Sequence, residues 1–306
     1  MSIFLIINTW GGRRQPAPRL IRGLQEVLSR SGTRHEIALS QSIDHSAQLV
    51  ERAAQEGFDT LWIGGGDGTV HVILNQSAGR GFAYGLLPMG TVNALADSLG
   101  IPADPLAAAD FLIAAQPVQV DVGRVNGLYF LCFASVGFDA AVVHSVSDTA
   151  KERFGRFSYA LAGLKAAAGR VQVPRFELHI PTQNGLTAEP LAGHSLVVSH
   201  ISNYAGMRLF PHAQPMSGAM ELALIPSPGA SGYLGWFLSA MARMPALARR
   251  TGVTMRSEAA FTLTSERPLS LQLDGEPVTP PNPTRLQFEC LPGAARLLLR
   301  RTNKSG

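Results

Sequence analysis

The sequence is short of cysteine and of long apolar stretches, and each shortage excludes a class of protein. Only two cysteines occur in 306 residues, so neither a disulfide framework nor a cysteine-rich zinc site is expected. No apolar run reaches the roughly 18 residues of a membrane span. The short apolar start has no basic segment before it, which argues against a signal peptide. We therefore expect a cytoplasmic protein.

Charge is also scarce, and its sign is uneven. Charged residues make up 16% and apolar residues 46% of the chain, which favours a large folded core over disorder. The net charge of +4 comes almost entirely from arginine, because the chain has only Lys151, Lys165 and Lys304. This mild basicity suits nucleotides or anionic lipid headgroups. It lacks the dense basic stripe of a nucleic-acid binder, so no nucleic-acid partner is expected.

The pattern of apolar residues divides the chain into two domains. Over residues 1–122, apolar runs alternate with stretches at helical spacing, which predicts a doubly wound α/β domain with a parallel sheet. Over residues 123–300, short β-rich pieces separated by Gly and Pro predict mainly antiparallel sheet, with helices at Phe138–Val146 and Phe157–Ala168. Residues 301–306 read as a polar tail.

The strongest motif is GGGDGT at residues 64–69, which follows a predicted strand and precedes a predicted helix. Glycines allow close backbone approach to a ligand, and N–H groups at a helix N-terminus bind anions. Asp67 would repel a bare phosphate, so it indicates a bridging divalent cation or a hydroxyl group to orient. Neither GK[ST] nor GxGxxG is present. The alternative is a tight turn in which Asp67 caps the helix, but three consecutive glycines exceed that need.

Other polar residues follow neighbouring strands of the same predicted sheet. A second strand-to-helix turn covers Pro88–Asn93, where Thr91 is either a ligand contact or only a helix cap. Asn8 follows the first strand and Ser40 the second. Because the carboxyl ends of parallel strands meet at one edge of a sheet, these turns can share a ligand.

Six segments in order resemble the catalytic domain family of diacylglycerol kinases, which includes bacterial lipid kinases and sphingosine kinases. The segments are GGGDGT (64–69), PMGTVNALADSLGIP (88–102), SVGFDA (135–140), FGRFSYALAGL (154–164), SNYAGMRLFPHA (202–213) and LDGEP (273–277). GGDGT alone is shared with NAD kinases and phosphofructokinases, whereas the ordered set covers most of the chain. The family fold is a nucleotide domain followed by a β-sandwich domain, with the active site between them.

The resemblance implies an ATP- and Mg²⁺-dependent lipid kinase, with diacylglycerol as the first choice of substrate. The residues implied in ATP binding are Gly65, Gly66, Asp67, Gly68, Thr69 and Thr91, with Asn8, Ser40 and Asn93 in supporting positions. Asp67 is also the implied metal ligand. Glu276 is the first choice for the catalytic base and Asp274 the second, because an alcohol must lose its proton during transfer. The alternative for Asp274-Gly275 is a plain hairpin turn.

Departures from the family pattern leave two other functions open. Ser217 stands where the family has an aspartate that helps to hold a structural magnesium ion, and a hydroxyl is a weaker ligand than a carboxylate. His71 and Ala94 replace asparagine and aspartate. A soluble kinase of the NAD kinase type and a non-catalytic lipid or nucleotide binder are the alternatives. Asp139 is expected either to contact substrate or to cap a helix.

Long acyl chains require the enzyme to meet a lipid surface. Residues Tyr233–Phe237 and Met241–Met244 carry large apolar groups, with arginines nearby. This segment either lies on an anionic bilayer or forms a core helix, and the core helix is favoured. The sequence leaves the oligomeric state open, a homodimer included.

Overall fold

The computed structural model describes residues 1–10, 16–145, 173–181, 189–204, 207–228, 230–241 and 252–300. The chain forms two compact units. Unit 1 comprises Met1–Val120 with the chain from Ala294 onward, and unit 2 comprises Asp121–Gly293. The expected helix at Phe157–Ala168 lies outside the described residues.

Unit 1 alternates strands and helices, as the apolar pattern predicts. Its elements are β1 (Ser2–Asn8), α1 (Pro18–Arg30), β2 (Arg34–Ser40), α2 (Ile43–Gln55), β3 (Thr60–Gly65), α3 (Asp67–Ser77), β4 (Ala83–Pro88), α4 (Ala94–Ser98) and α5 (Pro105–Ile113). The strands form a parallel sheet in the order β2-β1-β3-β4. Ile3–Ile7 of β1 is fully buried, as expected of a parallel strand covered on both faces.

The C-terminal end of the chain completes this sheet, which the sequence did not predict. The last strand, β18 (Arg285–Leu299), places Arg296 and Leu297 in parallel register with Ala83 and Tyr84 of β4. The domain division from the sequence put this segment in the second domain up to residue 300. A strand that returns from a distant part of the chain leaves no local signal of its partner.

Helical spacing of apolar residues predicts helices that begin at Ser46, Val70 and Val92. The first two of these helices begin earlier in the structure, and their caps explain why. Helix α2 begins at Ile43, three residues before the predicted Ser46. The Ser42 hydroxyl accepts the His45 N–H at 3.0 Å, and this bond caps an N–H group of the first turn that has no partner within the helix. Helix α3 begins at Asp67 rather than at Val70, with Gly66 as its N-cap residue. The GGGDGT motif is therefore a strand end, a cap and a first helical turn.

Unit 2 is rich in short strands. Its elements are β5 (Gln116–Val125, which begins in unit 1), β6 (Leu128–Phe130), β7 (Phe133–Val136), α6 (Phe138–Ser145), β8 (Phe176–His179), β9 (Leu191–Gly193), β10 (Ser195–Ser199), β11 (Asn203–Tyr204), β12 (Met207–Arg208), β13 (Met220–Ile225), α7 (Ala230–Met241), β14 (Thr254–Glu258), β15 (Ala260–Thr264), β16 (Leu271–Leu273), β17 (Glu276–Val278) and the first part of β18. The dipeptide Asn126-Gly127 predicts a hairpin turn, and the antiparallel pairing of β5 with β6 confirms it.

Two layers of antiparallel strands enclose the core of unit 2. One layer has the order β14-β13-β10-β7-β16-β17, and the other contains β9, β8, β15 and the first part of β18. Side chains of both layers, such as Leu196, Val198, Phe261 and Phe288, belong to one buried cluster. The intervening Val197 belongs to a second cluster with α6 and α7. The β10 layer is thus buried on both faces, which explains its continuous apolar run.

Helix α7 behaves mainly as a core helix. Tyr233 and Trp236 are buried in the second cluster, whereas Leu234 and Leu238 are exposed. Residues 242–250, with the arginines of the expected bilayer contact, lie outside the described residues. None of the helices that the structure describes is long and apolar enough to cross a membrane.

Candidate functional site

Two turns meet at the carboxyl edge of the parallel sheet in unit 1. The register pairs Gly65 at the end of β3 with Pro88 at the end of β4, and the Met89 N–H donates to the Gly65 carbonyl at 2.9 Å. A Cβ atom at position 90 would lie 2.5 Å from the Gly66 Cα atom. Only glycine therefore allows the two backbones to approach this closely.

Gly65 is required by the packing of the helix that follows it. A Cβ atom at position 65 would lie 2.5 Å from both the Cβ and the Oγ1 atoms of Thr69. The side chain of Thr69 is thereby folded against the end of the strand and is only 5% exposed. The Gly65–Thr69 spacing thus brings a hydroxyl group to the first turn of α3, where backbone N–H groups lack intrahelical partners.

Asn8 connects the end of β1 to this turn. Its Nδ2 donates to Thr69 Oγ1 at 2.7 Å, and its Oδ1 accepts the Trp10 N–H at 2.8 Å. Both ends of the amide therefore bind protein groups. We infer that Asn8 orients Thr69 and the chain after β1 rather than serving first as a ligand contact.

Asp67 ties the first turn to the helix of the second. Its Oδ2 accepts the Ala94 N–H at 2.9 Å, and its Oδ1 accepts the Leu95 N–H at 3.3 Å. The alternative that Asp67 caps its own helix is wrong, because Gly66 is the N-cap residue of α3 and makes no side-chain cap bond. The carboxylate instead satisfies the N-terminus of α4. Carboxylate oxygens are the donors that Mg²⁺ prefers, so the ion fits the donor chemistry of this residue.

The second turn is closed by Asn93 and exposes Thr91. Asn93 is in the left-handed conformation at φ 52°, accepts the Gly90 N–H at 2.8 Å and donates to the Gly90 carbonyl at 2.9 Å. These two hydrogen bonds between Asn93 and Gly90 explain why α4 begins after Asn93 and not at Val92. Thr91 lies at the exposed tip of the turn, where a ligand can reach its hydroxyl.

Ser40 lies at the predicted edge but is turned inward. It pairs with Asn8 in the parallel register and is only 1% exposed. Its hydroxyl donates to the Ser42 carbonyl at 2.9 Å, while its own carbonyl accepts the Thr9 N–H and hydroxyl. Ser40 therefore shapes the chain around Thr9, and a direct ligand contact from its hydroxyl would require this bond to break.

A small cavity lies beneath the two turns of unit 1. Its volume is about 10 Å³, which is room for roughly one water molecule. The lining consists of Ile63, Gly65, Gly66, Asp67, Val70, Leu86, Leu87, Pro88, Asn93, Leu95 and Ala96. A triphosphate is too large for a space of this size.

The acidic segment of unit 2 forms a tight hairpin turn between β16 and β17. Asp274 and Gly275 both have positive φ, at 53° and 86°, as in the two-residue turns that suit twisted hairpins. Asp274 is 5% exposed, and its carboxylate accepts three backbone N–H groups, from Leu131 at 3.0 Å, Cys132 at 2.8 Å and Phe133 at 3.1 Å. The hairpin interpretation is thus correct, and Asp274 is also an anchor for the start of β7.

Glu276 differs from Asp274 in exposure. It begins β17 and is half-buried, whereas Asp274 is enclosed by its three donors. A carboxylate held by three N–H groups is fixed in place. Glu276 is therefore the more accessible of the two carboxylates, and its role as the base stays a prediction.

A buried polar network supports this turn, and the sequence did not reveal it. Gln272 accepts the Gly275 N–H at 2.8 Å and donates to Asp139 Oδ2 at 3.4 Å. Asp139 also accepts hydroxyl hydrogen bonds from Tyr233, at 2.6 Å, and from Ser135. The carboxylate of Asp139 is thus a buried acceptor for three side chains, and its contact with substrate or its role as a helix cap stays a prediction. The one local sign of this network in the sequence is Gln272, two positions before Asp274.

Ser217 closes its own loop. Its hydroxyl lies 3.1 Å from the Gln214 carbonyl and 2.9 Å from the Ala219 carbonyl, either of which can accept its single hydrogen. The next residue, Gly218, donates its N–H to Asp121 at 2.7 Å. Ser217 thus closes its loop through a hydrogen bond to a backbone carbonyl, and a metal at Ser217 stays a prediction.

The fold and these turns define a class of two-domain kinases that join a glycine-rich α/β domain to a β-sandwich. The model of the diacylglycerol kinase catalytic domain matches residues 2–125, and that of the YegS C-terminal NAD kinase beta sandwich-like domain matches residues 132–299. A relative from Pseudomonas aeruginosa (strain UCBPP-PA14), named "Probable lipid kinase YegS-like", is 32% identical over 94% of this chain and 91% of its own.

Two further comparisons agree with this result. A diacylglycerol kinase from Staphylococcus carnosus (strain TM300) is 33% identical over 47% of this chain and 49% of its own. The crystal structure of a diacylglycerol kinase from Bacillus anthracis str. Sterne has a TM-score of 0.68 at 16% identity and covers 98% of this chain and 97% of that chain, which shows the shared fold. The chain belongs to the diacylglycerol kinase family, in its YegS-like form, and is an enzyme of the lipid kinase class.

Proposed function

We propose that this protein transfers the γ-phosphoryl group of ATP to the hydroxyl group of a membrane lipid, with diacylglycerol as the first substrate. The observation that carries the proposal is the close approach of the two turns in unit 1, where a side chain at position 90 would collide with Gly66. Backbone brought together in this way at a helix N-terminus suits a polyphosphate. The resemblance of the chain to proteins named lipid kinases supports the lipid as acceptor.

Each group has a defined part in the proposed reaction. The turns of residues 65–69 and 88–93 hold the triphosphate, with Asp67 as the residue that would hold Mg²⁺. The ion would supply neutralisation of phosphate charge. Glu276 accepts the proton of the lipid hydroxyl as the lipid oxygen bonds to the γ-phosphorus. The bond from the γ-phosphorus to the bridging oxygen breaks, and ADP leaves with the electron pair.

The lipid acceptor also requires contact with a lipid surface. We propose that Leu234 and Leu238, four residues apart on α7 and both exposed, take part in this contact. Serine at both positions should reduce co-sedimentation with vesicles of phosphatidylglycerol, without loss of folding. Binding should weaken as salt rises if the arginines nearby contribute.

The test of the function is transfer of label from γ-labelled ATP. The full chain is incubated with Mg²⁺ and mixed micelles that contain diacylglycerol, and labelled phosphatidic acid is the expected product. Parallel reactions contain monoacylglycerol, a sphingoid base, phosphatidylglycerol or NAD. Label in another lipid would correct the substrate, label in NADP would replace the function, and binding of ATP without transfer to any acceptor would refute the kinase.

A further inference from the structure

Three side chains that commonly bind metals meet in the interior of unit 2. Asp121 belongs to β5, His200 follows β10, and Cys290 belongs to β18. One donor atom of each residue lies within 4.8 Å of the donor atoms of the other two. Their exposed fractions are 4%, 0% and 8%. None of the three has a part in the proposed phosphoryl transfer.

His200 lacks the hydrogen bonds that a buried imidazole needs. Neither Nδ1 nor Nε2 has a partner among the residues that the structure describes, although both atoms are fully buried. Burying polar atoms without hydrogen-bond partners is energetically unfavourable, so a further ligand at this position would stabilise the fold.

Backbone hydrogen bonds hold the Asp121 carboxylate and the chain at His200 in place. Asp121 Oδ2 accepts the Gly218 N–H at 2.7 Å, and Asp121 Oδ1 accepts the Gly293 N–H at 3.0 Å. The backbone N–H of His200 donates to the Cys132 carbonyl at 2.9 Å. Hydrogen bonds of this kind fix the direction of metal ligands in known sites. The Asp121 carboxylate retains lone-pair capacity for a cation beyond these two bonds.

We propose that Asp121, His200 and Cys290 form a binding site for a zinc-type divalent ion that links β5, the segment after β10 and β18. A thiolate and a carboxylate together neutralise a dication, which a buried site requires. Thiolate, imidazole and carboxylate are zinc ligands, whereas magnesium prefers oxygen donors alone. Three protein ligands leave one tetrahedral position for a water molecule. The site uses neither Ser217 nor the residues proposed for phosphoryl transfer as ligands.

The first measurement is metal binding by the full chain after treatment with a chelator. Zn²⁺ is titrated against a chromophoric competitor, and Co²⁺ is used as a spectroscopic probe for a thiolate-to-metal charge-transfer band. We expect one ion per chain, a rise in melting temperature with Zn²⁺, and no competition from excess Mg²⁺. If the protein binds no Zn²⁺ and its melting temperature does not move, buried water satisfies His200 and the proposal is wrong.

Variants assign the ion to this cluster. Cys290→Ser and His200→Gln should each weaken Zn²⁺ binding more than about 100-fold, since even second-shell changes cost 10–100-fold. Cys132→Ser is the matched control, because it replaces the other buried cysteine of the chain and should retain both affinity and the charge-transfer band. Unchanged affinity in Cys290→Ser would overturn the proposal. If the variants fail to fold, the Co²⁺ band of the wild type and of Cys132→Ser decides the question.

Discussion

Asp67 and Asp274 occupy similar places in their units and are held in different ways. Each stands beside a glycine after a strand and accepts backbone N–H groups. Asp67 accepts two, from residues 27 and 28 positions later in the chain. Asp274 accepts three, from residues 141 to 143 positions earlier. One carboxylate connects neighbouring turns of a single α/β unit, whereas the other depends on the assembly of a whole sandwich.

The turns at Asp67 and Asp274 therefore differ in exposure and in how firmly hydrogen bonds hold them. The turn of Asp67 is built from backbone that glycine brings together, and its carboxylate stays partly exposed. The turn of Asp274 is fixed from within, by its three donors and by Gln272, which accepts the Gly275 N–H. A rigid turn of this kind holds its next residue, Glu276, in a constant position. Preorganised placement of a base is what proton transfer requires.

The largest effect should follow from Glu276→Gln. Loss of the base should reduce the rate of phosphoryl transfer by about 10²- to 10⁴-fold. The free energy of unfolding should change by less than about 0.5 kcal/mol, because Glu276 is half-buried at the start of a short strand. Initial rates with γ-labelled ATP and diacylglycerol, together with urea unfolding, measure the two quantities. A variant that keeps more than a tenth of the wild-type rate would show that Glu276 is not the base.

Asp274→Asn should give the next largest effect, on stability as well as on rate. The carboxylate now accepts hydrogen bonds from three backbone N–H groups. In the variant the NH₂ group of the amide would face some of these donors, and the free energy of unfolding should fall by about 2–3 kcal/mol. Asp67→Asn is the matched control. With two donors instead of three and greater exposure, it should cost about 1 kcal/mol or less. Equal losses of unfolding free energy in the two variants would show that the different hydrogen bonding of Asp67 and Asp274 does not affect stability.

Much of unit 1 could be predicted from the sequence, because its signals are local. Apolar runs bounded by helical spacing predict the parallel strands, and the glycines at 64–66 and 90 mark the turns that meet at one edge. What the sequence could not predict was the partner of each polar side chain. Asn8 and Asn93 were expected to contact nucleotide, yet their amides bind Thr69 and Gly90.

Unit 2 was less predictable, because its contacts join distant parts of the chain. The hairpin at Asn126-Gly127 follows from turn chemistry alone. The burial of Asp139 by Tyr233, Ser135 and Gln272 depends on three elements that have no common local pattern. The pairing of the last strand with β4 is of the same kind. The family resemblance predicted a β-sandwich for unit 2, whereas the periodicity of apolar residues predicted only short strands.

A smaller effect is expected from Gly90→Ala, which tests the backbone contact in unit 1. The new methyl group would lie 2.5 Å from the Gly66 Cα atom and force the two turns apart, at a cost of about 1–2 kcal/mol. If the same free energy is lost from ATP binding, the KM for ATP should rise about tenfold. Gly127→Ala is the control, since its strain at φ 89° lies in a hairpin of unit 2. It should lower stability but leave the KM for ATP unchanged, and a raised KM in both variants would remove the specific role of the turn.

The smallest effect is a pH dependence from Glu221 in the sandwich. This side chain is 4% exposed, and burial raises its pKa, although hydrogen bonds from the backbone N–H groups of His212 and Ala213 and the nearby charge of His212 oppose the shift. A raised pKa in the folded state means that the unfolded chain loses its proton first as the pH rises from about 4. Wild type should therefore lose stability relative to Glu221→Gln between acidic and neutral pH. Urea unfolding of both proteins at several pH values measures this difference, and a gap that is constant or that changes in the opposite direction would show that burial does not control the titration of Glu221.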